Sequence, residues 1–155
     1  MAGPLLDPAL PVPPPPVSDD YVLEPLGPQH NQADLAAWTG SADHIRATPG
    51  FVGWGWPPEA GLTLAENEAD LLRHERDFAA REGFTWTVLD PTSRAIVGCL
   101  YVYPSPDPAY DVVARSWVVA HRAELDAPLA RAVHAWLLRD WPFRTVDYAE
   151  RPGGW

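Results

Sequence analysis

The sequence predicts an α/β fold: a mixed, partly antiparallel central sheet with helices on both faces. Three observations point there. Apolar residues recur at helical spacing after Thr63 and again after Asp126. The run Ile96 to Tyr103, IVGCLYVY, is apolar at almost every position, the pattern of a central strand buried on both faces. Turn residues cut the chain into strand, helices, three strands, helix, strand, an order that a sheet with packed helices satisfies. A length of 155 residues allows one domain, since domains run to roughly 100–200 residues.

Taken in order, Tyr21 to Leu26 alternates apolar and polar side chains and stops at Gly27-Pro28, a short strand and a turn. Asn31 can cap a helix to about Trp38, which Gly40 ends. Ser41 can cap a second short helix through Ala47, closed by Pro49-Gly50. The aromatic loop Phe51 to Pro58 then has too much Gly and Pro for regular structure. Thr63 and Glu66 make a capping box, so a helix of roughly 18 residues is expected up to Gly83, with Leu64, Leu71, Leu72, Phe78 and Ala79 on its apolar stripe. Phe84 to Leu89 reads as a strand, Asp90 to Ser93 as a turn, and Ile96 to Tyr103 as the central strand. After a Pro- and Asp-rich connection come a strand over Val112 to Val119, a helix opened by Asp126 with Leu129, Val133, Trp136 and Leu137 on one side, and a last short strand over Thr145 to Tyr148.

Residues 1 to 20 hold seven prolines, four of them consecutive, and no basic residue. This composition predicts a disordered polyproline leader over 1–19 without packed contacts, followed by one domain over 20–155. It lacks the positive start and apolar run of a secretory signal, so the cytoplasm is expected. With 11 basic and 21 acidic residues the formal charge is −10; such a surface repels nucleic acid and anionic membranes and attracts a cationic amine. Cys99 is the only cysteine, which excludes an internal disulfide and a Cys-based zinc site, and its apolar strand makes it a core residue. The five histidines are too scattered to predict a metal site.

Two features suggest a site. The indoles of the loop around Phe51, Trp54 and Trp56 would be costly to expose without a purpose, so the loop is expected to line the largest pocket and meet the substrate or partner. Glu68 and Glu75 interrupt the apolar stripe of the helix after Thr63. A carboxylate at an apolar face has a raised pKa suited to taking a proton from an ammonium group.

The order of elements, with Gly98-Cys99-Leu100-Tyr101-Val102-Tyr103-Pro104 leading through a connection to Trp117-Val118-Val119 and a helix, resembles the GNAT superfamily of acyl-CoA-dependent N-acetyltransferases over about residues 20 to 150. The resemblance implies acetyl-CoA as co-substrate. Pantetheine would lie where the strand before the main helix parts from its neighbour, held by backbone groups of Trp117, Val118 and Val119 and faced by Val146 to Tyr148. CoA phosphates would meet the segment His121, Arg122, Ala123 and Leu125, with Arg131 in reach, and Phe51, Trp54 and Trp56 would shape the acceptor pocket. The acceptor would be a small-molecule or peptide amine that attacks the thioester directly, with Glu75 or Glu68 as base and Tyr148 or Tyr103 as donor to the leaving thiolate. A homodimer is left open.

This chain departs from the family's pattern at the phosphate site. Two glycines of the motif before the helix are replaced by Glu124 and Asp126. At ~5 Å and an effective dielectric of ~20, each carboxylate would repel a phosphate charge by about 3 kcal/mol, so weak acetyl-CoA binding is expected. Asp126 also reads as a helix N-cap. The chain stops short of the helix and final strands that follow in most family members. Two functions therefore stand from the sequence: an N-acetyltransferase, or a non-catalytic GNAT-like module that binds a small ligand or protein through the aromatic loop.

Overall fold

A computed structural model describes residues 3–155. Its sheet has five strands in the order β1-β2-β3-β4-β5: β1 (Val22–Pro25), β2 (Phe84–Leu89), β3 (Ile96–Pro104), β4 (Val112–Val118) and β5 (Val146–Tyr148). All neighbours are antiparallel except β4 and β5, which run parallel. The helices are α1 (Asn31–Gly40), α2 (Ala42–Arg46), α3 (Leu64–Ala80) and α4 (Asp126–Asp140), and a 3-10 segment over Ala120–Leu125 leads into α4. No described helix is long and apolar enough to cross a membrane.

Alternation along β3 divides the core. Leu100 and Val102 pair with Trp86 and Phe84, whose rings meet Trp136 and Trp141 at the end of α4, with Trp86 to Trp136 at 5.3 Å and Phe84 to Trp141 at 4.9 Å. Tyr101 and Tyr103 point the other way, toward His74 of α3. Both faces of β3 are thus covered, as its unbroken apolar run requires. Cys99 is fully buried there and its thiol pKa is pushed up by burial.

Three expectations are corrected. The stripe on α3 is displaced: Leu64 and Leu72 are about half exposed, and the inward line is Asn67, Leu71, His74 and Phe78. Two polar residues on that line disguised it, and each is hydrogen-bonded inside. The caps also differ. Thr63 and Glu66 form the expected box, but Asn31 and Ser41 spend their side chains on distant segments. Asn31 Nδ2 donates to Leu64 O at 2.9 Å, and Ser41 Oγ accepts from the Ala120 amide at 2.9 Å.

The third correction concerns the leader, which is not free of packed contacts. Leu6 is 2% exposed, and Leu5 and Val12 pack against the core. Arg81, held at φ 59° at the end of α3, accepts the Leu5 amide on its carbonyl at 2.7 Å and donates from its guanidinium to the carbonyls of Asp7 and Leu10. Proline stiffness lowers the entropy lost on docking, so a few apolar anchors suffice to hold the arm.

Candidate functional site

A cavity of about 330 Å³ lies between α1, α3 and the face of β3 and β4 that they cover. Its aromatic wall is Trp54, Trp56, Tyr101 and Tyr103. The loop supplies the two indoles, as expected from sequence, whereas Phe51 stands behind them, 1% exposed, against Trp54 and Trp56 at 5.6 and 5.9 Å. Trp56 sits centrally, 5.5 Å from Trp38 and 6.3 Å from Tyr101.

Charge enters from both layers. Asp34 on α1 is 4% exposed, and its Oδ2 accepts from Asn67 Nδ2 at 3.1 Å. Desolvation dominates its surroundings and raises its pKa to about 6. Asn67 also accepts from Trp38 Nε1 and donates to Asn31 Oδ1 at 2.8 Å, so one amide ties α1 to α3 below the carboxylate. Across the cavity, Arg115 on β4 lies 4.1 Å over the Trp54 ring, and its Nε donates to Gly50 O at 2.9 Å. Arg73 and Asp70 also line the cavity and lie near one another.

A hydrogen-bonded chain closes one side. Tyr103 donates its hydroxyl proton to Asp77 Oδ2 at 3.0 Å, so His74 Nδ1, 2.8 Å from the same hydroxyl, is the protonated ring nitrogen. His74 Nε2 is left as an acceptor. Burial holds the His74 pKa down at about 4 and raises that of Tyr103 to about 12, so both are neutral at ordinary pH.

The predicted catalytic residues fare unequally. Tyr103 lines the cavity. Glu68 and Glu75 are on the exposed side of α3 and do not line it, because the helix presents Asn67, Asp70 and His74 instead. Tyr148 pairs with Ala114 and so faces α4; its hydroxyl is hydrogen-bonded to Ser116, and burial pushes its pKa up. Asp34, Asn67, His74 and Arg115 were missed. The polar positions at helical spacing on α3 were the one signal that could have exposed Asn67 and His74.

The gap expected to hold pantetheine is on the other side of β4. Pairing of β4 with β5 stops at Ala114 and Tyr148, and the strands part beyond. Trp117 and Val118 are fully buried, Val119 is 3% exposed, and the Val119 amide is bonded back to Val97 O at 2.8 Å. Arg151 enters the gap with a fully buried side chain. Its Nη2 donates to Ser116 O at 2.8 Å, its Nη1 to Ala149 O at 2.8 Å, and its Nε to Asp126 Oδ2 at 2.7 Å.

The remaining predicted phosphate contacts are likewise engaged. Asp126 does not cap α4, whose N-cap is Leu125; its carboxylate is turned to Arg151. Arg131 donates to Gly154 O and Pro152 O at 2.9 and 2.7 Å, and Arg122 pairs with Asp90 and Glu124 at 3.1 and 3.0 Å. His121 and Ala123 lie within the 3-10 segment beside the buried Leu125. Trp155 stacks on His134 at 3.9 Å, holding the last residues along α4. In this arrangement the Arg151 guanidinium occupies the gap, and Asp126, paired with it, stands at the position where the resemblance places a phosphate.

No family model and no curated protein matches the sequence. Solved structures do match its shape. A putative ribosomal-protein-serine acetyltransferase from Vibrio cholerae superposes with a TM-score of 0.65 at 10% identity, over 88% of this chain and 74% of that one. The ribosomal-protein-S5-alanine acetyltransferase from Vibrio fischeri gives 0.62 at 10% identity, over 79% and 66%. RimL, a ribosomal-protein acetyltransferase solved in complex with coenzyme A, gives 0.60 at 12% identity, over 80% and 67%. At such identities the likeness is one of fold, and that fold is the one shared by the GNAT N-acetyltransferases.

Proposed function

We propose that this protein is a GNAT-fold binding module that holds a small organic ammonium ion in the cavity between α1, α3 and the sheet, and that it does so without acyl transfer from CoA. The observation that carries this reading is Arg151, whose buried guanidinium takes the backbone carbonyl of β4 and the carboxylate of Asp126. Acyl-CoA would need that same carbonyl edge and helix mouth. The ligand class follows from the cavity. A buried carboxylate beneath aromatic rings favours a cation with an apolar body, by charge pairing and by the attraction of ring faces for positive charge, and the net charge of −10 draws cations to the surface.

Acetyl transfer to a primary amine is the second reading. The parting of β4 and β5 beyond Ala114 favours it, as do the acetyltransferases of the same fold. It requires the Arg151 side chain to leave the gap. Calorimetry separates the two. Phenethylamine should give saturable heat, and acetyl-CoA should give none at concentrations up to about 1 mM, the limit of weak specific binding. Acetyl-CoA binding in the micromolar range overturns the first reading in favour of the second.

A further inference from the structure

Four charged side chains line the cavity, and two of them neutralise one another: Arg73 lies 3.7 Å from Asp70 and 3.8 Å from Asp77. Two remain. Asp34 accepts a neutral amide hydrogen from Asn67 and has no cationic side chain within salt-bridge distance among the described residues. Arg115 donates Nε to a backbone carbonyl and lies over Trp54, again with no carboxylate within salt-bridge distance among the described residues. Tyr101 stands between them. It is the cross-strand neighbour of Arg115, and the field of Asp34 reaches its hydroxyl. One small aromatic cavity therefore holds a carboxylate and a guanidinium that the protein does not pair. Leaving the buried Asp34 unpaired is costly, Arg115 is only half-buried, and a ligand with complementary charges would satisfy both groups at once.

Building on the reading of this cavity as the ligand site, we propose that its ligand is a zwitterion, with an ammonium group at Asp34, an anionic group at Arg115, and an apolar or aromatic body against Trp54, Trp56 and Tyr101. An amino acid or a short peptide has this chemistry; a plain amine uses half of the site. Arg115 is then the residue that decides specificity. Its planar guanidinium is suited to gripping a carboxylate with two parallel hydrogen bonds, and stacking on Trp54 fixes the plane.

Four probes test the proposal by calorimetry on the full chain. Phenylalanine and glycyl-phenylalanine carry both charges at two spacings, phenethylamine carries the ammonium alone, and 3-phenylpropionate the carboxylate alone. At least one zwitterion should bind about tenfold tighter than either half-molecule, the worth of one added charged contact. R115Q should remove that advantage, so that zwitterion and phenethylamine bind alike, while R115K should keep part of it. The thermal midpoint of each variant, measured alongside, shows that the fold persists. Phenethylamine binding as tightly as both zwitterions overturns this inference and leaves the ammonium site standing. An advantage that survives R115Q also overturns it, because Arg115 is then not the anion's partner. No heat from any probe overturns the inference together with the ligand site on which it rests.

Discussion

Strand β4 borders two clefts, and the chain treats them in opposite ways. Toward α1 and α3 it borders the cavity, where Asp34 and Arg115 keep hydrogen-bonding capacity that the protein does not use. Toward β5 the strands part, but Arg151 fills the opening and its donors go to Ser116, Ala149 and Asp126. One cleft has apolar walls and charge without a partner, and the other has polar groups that satisfy one another. A shared backbone framework can thus retain one of its two clefts and close the other with a single side chain.

The largest effect should come from breaking the closed side. Arg151→Ala leaves Asp126 and the Ser116 carbonyl without their partner, and removing one member of a buried pair costs about 3–5 kcal/mol. At this size that is a fall of roughly 6–20 °C in the thermal midpoint. A fall below about 2 °C would mean that the gap is not held by this residue. Asp126→Gly, which places a glycine where the resemblance expects one, should be destabilising for the same reason and should not by itself confer acetyl-CoA binding.

Next in size is the leader. Leu6→Ala should cost about 2–3 kcal/mol, the scale for emptying a buried leucine site, and deleting residues 1–12 should cost at least as much. Chemical denaturation measures both, and an unchanged midpoint would show that the arm does not dock.

On the open side the expected effects are smaller and depend on pH. Asp34 has a folded pKa of about 6 against an unfolded value near 3.9. The native state therefore binds more protons between about pH 4 and 6, and stability from this group falls as pH rises through that window. Two units correspond to about 2–3 kcal/mol at most. His74, lowered to about 4, acts in the opposite sense: its contribution is present above about pH 6.5 and is lost as pH falls toward 4. The wild type should show a shallow net slope there. Asp34→Asn should expose the His74 loss, with stability falling on acidification, and His74→Gln should expose the Asp34 gain. Parallel profiles for the wild type and both variants would contradict the burial of these groups.

Trp54→Ala should have the smallest effect on stability. The ring is 49% exposed, so its loss should move the midpoint by little more than 2 °C while weakening phenethylamine by about three- to tenfold, the range of a cation–π contact. Equal binding by the variant would remove Trp54 from the ligand site.

Much of the fold was legible in the sequence because its signals were local. The all-apolar run of β3, the capping box at Thr63 and the Gly and Pro turns each depend on neighbours a few residues away, and β2 and β3 formed within a residue of the expected bounds. The aromatic loop was legible as a pocket wall for the same reason: Trp54 and Trp56 sit in a segment too rich in Gly and Pro for regular structure.

The site itself was decided by tertiary contacts. Glu68 and Glu75 looked like the carboxylates of an inward face, yet α3 turned Asn67 and His74 inward, because both find hydrogen-bond partners there that hydropathy does not register. Asp126 looked like a cap or an obstacle to phosphate, and Arg131 like a contact for CoA phosphates, until β5 and the residues after it brought Arg151 onto Asp126, 25 positions away in sequence. The sequence by itself determined the α/β architecture and the position of the aromatic wall, because pattern and turn chemistry act over one turn of helix or one pair of strands. Only the tertiary structure decided which charges are paired and which cleft stays open, because the strength of an electrostatic contact depends on burial and on partners that the chain supplies from distant positions.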